Sequence, residues 1–378
     1  MIVMPLGPDL VDSIQFPAHE MGYLAGGATF ASALLGFILA KYLDKTSRKK
    51  ALLSLMIPRS LFLFICGFAT NPTQLLVLYV ISGSFSGAIS GTTLAATIDL
   101  SPPKERGSAM AFVNSAFSIS AIAMIPITLE ITRLLSWEAA FFIFGGLGVL
   151  LALIFFIYFP EETTKVNRKG SEKVNPFKDK TYVIMLTSLS LIFFGHFLIV
   201  PNIANFFIFN LDIPREYLSV LYAAGGILSL VSLKVGSKYF DKGYEKSTYI
   251  FSSLVLLVSL FLCYIFPLAS FIIVPFSLFM AMSSLRNNLT LTLISKLPTP
   301  QQRAQYMTYA GTTRHIATGT ATVFASLYLA SNQSGKIFGL QDLGYINAIC
   351  IVGVMTIVAF YVIPKQSQKN LVAKGSAS

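Results

Sequence analysis

The sequence predicts an all-α membrane protein whose spans fall into two related halves. Three observations carry this: long apolar runs joined by short polar loops, positive charge confined to alternate loops, and an internal repeat. Hydrophobic residues make up 54% of the 378 and charged residues 12%, with a mean hydropathy of +0.69. Average soluble domains carry about 25% charged residues. A bilayer accepts so much apolar surface, whereas a soluble fold of this length cannot hide it.

A spanning helix needs about 20 mostly apolar residues. Eleven such runs are read, at 20–43, 51–69, 74–98, 108–131, 139–159, 182–209, 216–239, 248–266, 268–295, 304–330 and 343–363. Residues 1–11 are apolar but too short to span, and read as the last turns of a truncated first helix. The expected organisation is an N-terminal bundle over 1–160, a central loop over 161–181, a C-terminal bundle over 182–364 and a tail over 365–378. Cys66, Cys263 and Cys350 all lie in apolar runs, which predicts free thiols.

The net charge is +11, a value that in a soluble chain suggests nucleic acid. Here 21 of the 28 Lys and Arg occupy one set of alternate loops. The other set holds only Arg133, Arg215 and Lys336. Charge distributed in this way sets topology, and it places the central loop and the C-terminus in the cytoplasm. A cytoplasmic (inner) membrane location with no nucleic-acid partner is expected.

The repeat appears in loops of that cytoplasmic set. Lys41-Tyr42-Leu43-Asp44-Lys45 aligns with Lys238-Tyr239-Phe240-Asp241-Lys242, and Pro103-Lys104-Glu105-Arg106 with Pro300-Gln301-Gln302-Arg303. Both pairs share the same offset. Two halves in one orientation, related by an axis along the membrane normal, point to a transporter.

These loops also carry a family resemblance. Ala40-Lys41-Tyr42-Leu43-Asp44-Lys45-Thr46-Ser47-Arg48-Lys49 resembles the loop after the second helix of the major facilitator superfamily, with Ala40 and Ser47 in place of its two glycines. Pro102-Pro103-Lys104-Glu105-Arg106-Gly107, Ser136-Trp137-Glu138 and Pro160-Glu161-Glu162 are similar to further family borders. The resemblance implies the major facilitator fold of two six-helix bundles, here with eleven full spans. Within the family the chain is most similar to twelve-helix drug and sugar-efflux proton antiporters. It departs from them at Tyr79, where that subgroup usually has Arg, and at Met124 and Thr128, where it usually has Gly.

The resemblance implies that Asp44, Arg48 and Asp99 form a charge latch on the cytoplasmic side, with Asp241 repeating the acidic position. The spacing of Asp44 and Arg48 also permits an i, i+4 ion pair. It further implies that the first, fourth, seventh and tenth spans line a central cavity. A charge inside the bilayer must face a cavity or a partner. Arg286, followed by Asn287, is therefore the leading substrate contact, with Asn202 and Asn205 after Pro201 as further candidates. Arg59, beside Pro58, is read as structural. Candidates for proton coupling are His315, flanked by Gly311 and Gly319, with Arg314, His196, Glu130 and Asp9; packed or interfacial roles are the plainer alternatives for each. Gly83, Gly87 and Gly91 are read as close helix contacts.

No HExxH, GxxxxGK[ST] or CxxC motif occurs, so neither an enzyme nor a cofactor is expected. The expected protein is a monomeric exporter of a small organic compound in exchange for protons. An uptake symporter, or a transport-inactive sensor or scaffold, is the alternative.

Overall fold

The computed structural model describes residues 3–102, 106–159, 180–267, 269–298 and 303–364. Its helices are α1 (Gly7–Ile14), α2 (Met21–Lys45), α3 (Arg48–Ile65), α4 (Pro72–Ser84), α5 (Ser86–Leu100), α6 (Arg106–Leu134) and α7 (Trp137–Tyr158). They continue with α8 (Lys180–Ile199), α9 (Ile203–Asn205), α10 (Tyr217–Asp241), α11 (Glu245–Leu260), α12 (Ile273–Lys296), α13 (Arg303–Tyr328) and α14 (Leu340–Ile357). Short strands β1 (Ala330–Ser331) and β2 (Ile337–Phe338) pair between α13 and α14.

Among the described residues these elements form eleven long rods, α4 with α5 and α8 with α9 each counting as one. Eight are both long and apolar enough to cross a membrane. The other three, α6, α12 and α13, contain 29, 24 and 26 residues. At about 1.5 Å per residue, even α12 exceeds the roughly 30 Å hydrocarbon core. Large apolar side chains such as Phe37, Ile157, Phe251 and Ile349 stand exposed, as a lipid-facing surface requires. The three cysteines are free thiols.

Local chemistry sets the helix ends. The Asn71 side chain accepts the Gln74 N–H at 2.9 Å, and Pro72 starts α4 at a position that needs no donor. Ser136 caps α7 in the same way, with Glu138 in the first turn.

Two of the expected runs are interrupted. The run 74–98 divides at Phe85, within Gly83-Ser84-Phe85-Ser86-Gly87. There the Gly87 N–H donates to Ser32 Oγ at 2.7 Å, and a donor engaged by a neighbouring helix weakens its own helical ladder. The run 182–209 breaks after Ile199 into a 3-10 turn (Val200–Asn202), α9 and a π-helical turn (Phe206–Asn210). Pro201 supplies no N–H, so the preceding turn loses one ladder bond.

The chain forms two compact units. The first contains Met1–Lys169 with Pro201–Ser219 and Thr322–Ile337. Its core gathers Leu6, Leu10, Leu24, Cys66, Trp137 and Phe141. Burying each large apolar side chain contributes about 1.5–3 kcal/mol. The helices approach closely where glycines face them: Gly83 lies against Ala28, Gly145 against Phe64 and Gly148 against Ser60. Gly91 has nothing within 4 Å of where a Cβ would stand, so the expected glycine stripe ends at Gly87. The Asn210 side chain grips β2 from both sides, donating to the Ile337 carbonyl at 2.8 Å and accepting its N–H at 2.9 Å. Gly335, at φ 81°, rests on the Phe209 ring.

The second unit contains Gly170–Val200, Val220–Ala321 and Phe338–Ser378. Here α8 packs on α14 through Gly195 against Asn347 and Cys350. The pair α10 and α12 meets through Gly225 against Met280 and a bond from Ser232 to the Ala281 carbonyl at 3.1 Å. The Tyr182 and Tyr306 rings meet tilted at 39°, with ring centres 4.5 Å apart.

Candidate functional site

The second unit holds a buried cation on α12. Arg286 is 2% exposed, and its Nε and Nη1 have no hydrogen-bond partner. Among the described residues no carboxylate stands in salt-bridge reach of it. Its backbone is well held: the Arg286 carbonyl accepts Thr290 Oγ1 at 2.9 Å, and that oxygen meets the Tyr249 hydroxyl on α11 at 2.9 Å. His196, Tyr249 and Cys350 lie within electrostatic reach of the guanidinium. An Arg cannot shed its charge, and an unpaired buried charge is costly. The arrangement is therefore suited to receive an anion.

Helical spacing extends this polar face. Asn287 Oδ1 and Ser283 Oγ are buried without hydrogen bonds and lie four residues apart, on one side of α12. Asn287 stands out in the sequence beside Arg286, whereas Ser283 and Tyr249 do not. The i−4 spacing from Asn287 is the signal that could have found Ser283. His196 stacks on Phe279 at 5.6 Å. Arg314 lies 5.6 Å from the Phe193 ring centre, with His315 beside it in sequence.

Asn202 and Asn205 belong to the first unit, at the break that follows α8. Both are fully buried. Neither amide atom of Asn202 has a partner, while Asn205 Nδ2 donates to the Ala18 carbonyl at 3.0 Å and leaves its Oδ1 unpaired. Asp9, on α1, accepts two hydrogen bonds from Arg215, from Nε at 3.1 Å and Nη2 at 2.7 Å. Two-pronged pairs of this kind are among the stronger ion pairs. Glu130 pairs with Arg133 one turn along α6 at 2.8 Å. Asp9 and Arg215 are 206 residues apart, and no local pattern announces their meeting.

Arg48 is buried at the start of α3, and Asp241 is exposed at the end of α10. The Asp44 and Asp99 side chains, the other members of the expected latch, lie outside the described residues. Among the described residues no three potential metal ligands gather.

Several characterised proteins are similar to this chain. The hexuronate transporter of Bacillus subtilis is 22% identical over 67% of this chain and 63% of its own length. The D-galactonate transporter of Escherichia coli is 28% identical over 39% of this chain and 34% of its own. The staphyloferrin B transporter of Staphylococcus aureus is 23% identical over 67% and 64%. The chain thus spans less than two thirds of the length of these relatives. Among solved structures, a D-xylose-proton symporter superposes with TM-score 0.72 at 15% identity, covering 96% of this chain and 93% of that one. An inward-facing, occupied bacterial homologue of the human lysosomal transporter Spinster gives 0.68 at 13%, covering 99% and 92%. The sequence pattern of the Major Facilitator Superfamily matches residues 1–322, and with this fold and these spans the chain belongs to that superfamily of membrane transporters.

Proposed function

We propose that the protein is a secondary transporter of a small organic anion, with Arg286 as the principal contact for its negative charge. The carrying observation is an Arg side chain 2% exposed, with two nitrogens unpartnered and, among the described residues, no carboxylate in salt-bridge reach. The relatives support this reading, since hexuronate and galactonate are both carboxylates. They turn the substrate away from the drugs and neutral sugars of the efflux subgroup. Asn287 and Ser283 would offer hydrogen bonds to the remaining polar groups of the cargo, with Asn202 and Asn205 as further candidates. Alternating access would come from rocking of the halves 1–160 and 182–364, joined by a cytoplasmic loop over 161–181. The location would be the cytoplasmic membrane.

A proton gradient is the driving force we assign, with His196, His315 and Arg314 as coupling candidates. Export is the first reading, carried over from the general similarity of the sequence to drug and sugar-efflux antiporters. Uptake with protons is the second reading. The test is flux of radiolabelled galacturonate and galactonate in proteoliposomes with an imposed pH gradient. The expected result is gradient-dependent movement that Arg286→Ala lowers about ten-fold or more, given roughly 1.5–3 kcal/mol for a hydrogen bond to a charged group. Unchanged kinetics in that variant would overturn the assignment of Arg286. The direction of the gradient that drives accumulation decides between export and uptake.

A further inference from the structure

The internal repeat extends beyond the loops that announce it. Lys49 and Lys246 are separated by the same interval as Asp44 and Asp241. Each stands in the first turn of its helix, α3 or α11. Each also holds its ammonium over a phenylalanine ring of its own unit. Lys49 Nζ is 5.2 Å from the centre of the Phe156 ring, close to the end of α7. Lys246 Nζ is 4.2 Å from the centre of the Phe360 ring, in the π-helical turn Val358–Val362 that continues α14. Both distances fall within the roughly 6 Å range of a cation–π contact.

The two rings are 57% and 59% exposed, and they stand beside Ile157 and Tyr361, which are exposed as well. Apolar surface of this kind at the end of a spanning rod meets lipid. Each lysine therefore lays its stem along the lipid-facing side of its unit and does not reach straight into water. Among the described residues neither lysine has a carboxylate in salt-bridge reach. Glu245, next to Lys246, pairs with Lys296 at 3.7 Å instead. A ring covers one side of an ammonium, and the N–H donors on its other side are left for a group outside the chain. Loop charge puts both lysines at the cytoplasmic interface. Lipid phosphates stand there, and anionic lipids enrich that leaflet.

We propose that each unit binds one anionic phospholipid of the cytoplasmic leaflet, with the lipid phosphate on the lysine ammonium and an acyl chain against the phenylalanine ring. A lipid fits better than a free phosphate, because the ammonium is set on the lipid-facing side and the exposed ring offers nothing to an inorganic ion. One lipid joins α3 to α7, and the other joins α11 to the end of α14. Neither site involves Arg286, so both are independent of the cargo and of the direction of transport.

Native mass spectrometry of the purified chain in detergent counts bound lipids and needs no transported substrate. Phosphatidylglycerol and phosphatidylcholine are compared, since both carry a phosphate but only the first has a net charge. The expected result is two phosphatidylglycerol molecules retained at lipid levels where phosphatidylcholine is lost. Lys49→Gln and Lys246→Gln should each weaken one of the two binding steps about five-fold, the loss expected for one cation near an anionic surface. The double glutamine variant should weaken both. Lys49→Arg with Lys246→Arg should keep both, because the charge and the ring contact are preserved. Lys336→Gln, in the opposite set of loops, should keep both as well. Equal retention of the two lipids would overturn the sites, and so would unchanged phosphatidylglycerol retention in the double glutamine variant. A loss in Lys336→Gln as large as in the other two would reduce the effect to overall charge and overturn them too. Release of the bound lipid by excess inorganic phosphate would give the sites to the free anion and overturn the lipid assignment.

Discussion

Two arginines in this protein stand in opposite circumstances. Arg215 lies where water has access and is bound on two nitrogens by Asp9. Arg286 is buried and has two nitrogens without partners. Stability alone would favour the reverse, because an ion pair near water gains little and an unpaired buried charge costs much. The contrast separates their roles. Arg215 joins α1 to the loop before α10, and its charge is met within the chain. An unpartnered charge held by a fixed backbone is suited to a ligand that is not part of the chain.

The largest expected effect tests the second half of that contrast. Replacing a buried, unpaired charge by an apolar side chain removes its desolvation cost, so Arg286→Leu should raise stability by about 1–4 kcal/mol while abolishing flux. Thermal melting in detergent, read beside proteoliposome flux, checks both. Loss of stability together with flux would make Arg286 a structural anchor and erase the comparison.

Gly22→Val tests by sterics the unit that holds the paired arginine. Its side chain meets the Thr322 backbone, which cannot swing aside as a flexible side chain would. Overpacking of this kind costs about 1–3 kcal/mol. The melting temperature in detergent should fall accordingly. An unchanged melting temperature would show that the two backbones are not held in contact.

Asp9→Asn should have a smaller effect on stability, about 1 kcal/mol, since the pair is partly exposed and salt screens it. Its melting temperature should therefore differ from the unmodified protein's less at high ionic strength than at low. A difference that does not change with salt would argue against an electrostatic tie.

Ser331→Ala gives the smallest effect, about 0.5–1 kcal/mol for one neutral hydrogen bond to His19. Combined with Asp9→Asn it sharpens the comparison. If the two contacts act independently, the stability changes of the double variant should add, whereas a larger loss would join them in one network.

How far the sequence discloses this protein depends on the range of the interaction concerned. Eleven rods were legible because a bilayer demands long apolar runs. The run 182–209 reads as unbroken, although Pro201, which cannot donate, marked where it would break. The division at Phe85 was not legible, because it turns on Ser32, which is distant in sequence and carries no mark of its aim. Gly83, Gly87 and Gly91 look alike in sequence, yet only the first two meet a neighbouring helix. The solitude of Arg286 was half legible: its own helix offers no acid, but only the fold says what the neighbouring helices bring. The Asp9–Arg215 pair was hidden, since Asp9 reads as an interfacial carboxylate and Arg215 as a loop charge.

Asn210 has a mechanical consequence. By bonding both backbone groups of Ile337, it fastens the far end of the broken rod to the hairpin between α13 and α14. Phe209 beneath Gly335 adds a second fixing point close by. Two anchors prevent a hinge where one would allow it. A tilt of residues 206–210 must then carry the hairpin along as one stiff lever, and Ser331, the partner of His19, rides on that lever. Movement at the end of one rod is thereby transmitted to the turn before α2 without any change in the hairpin's own shape.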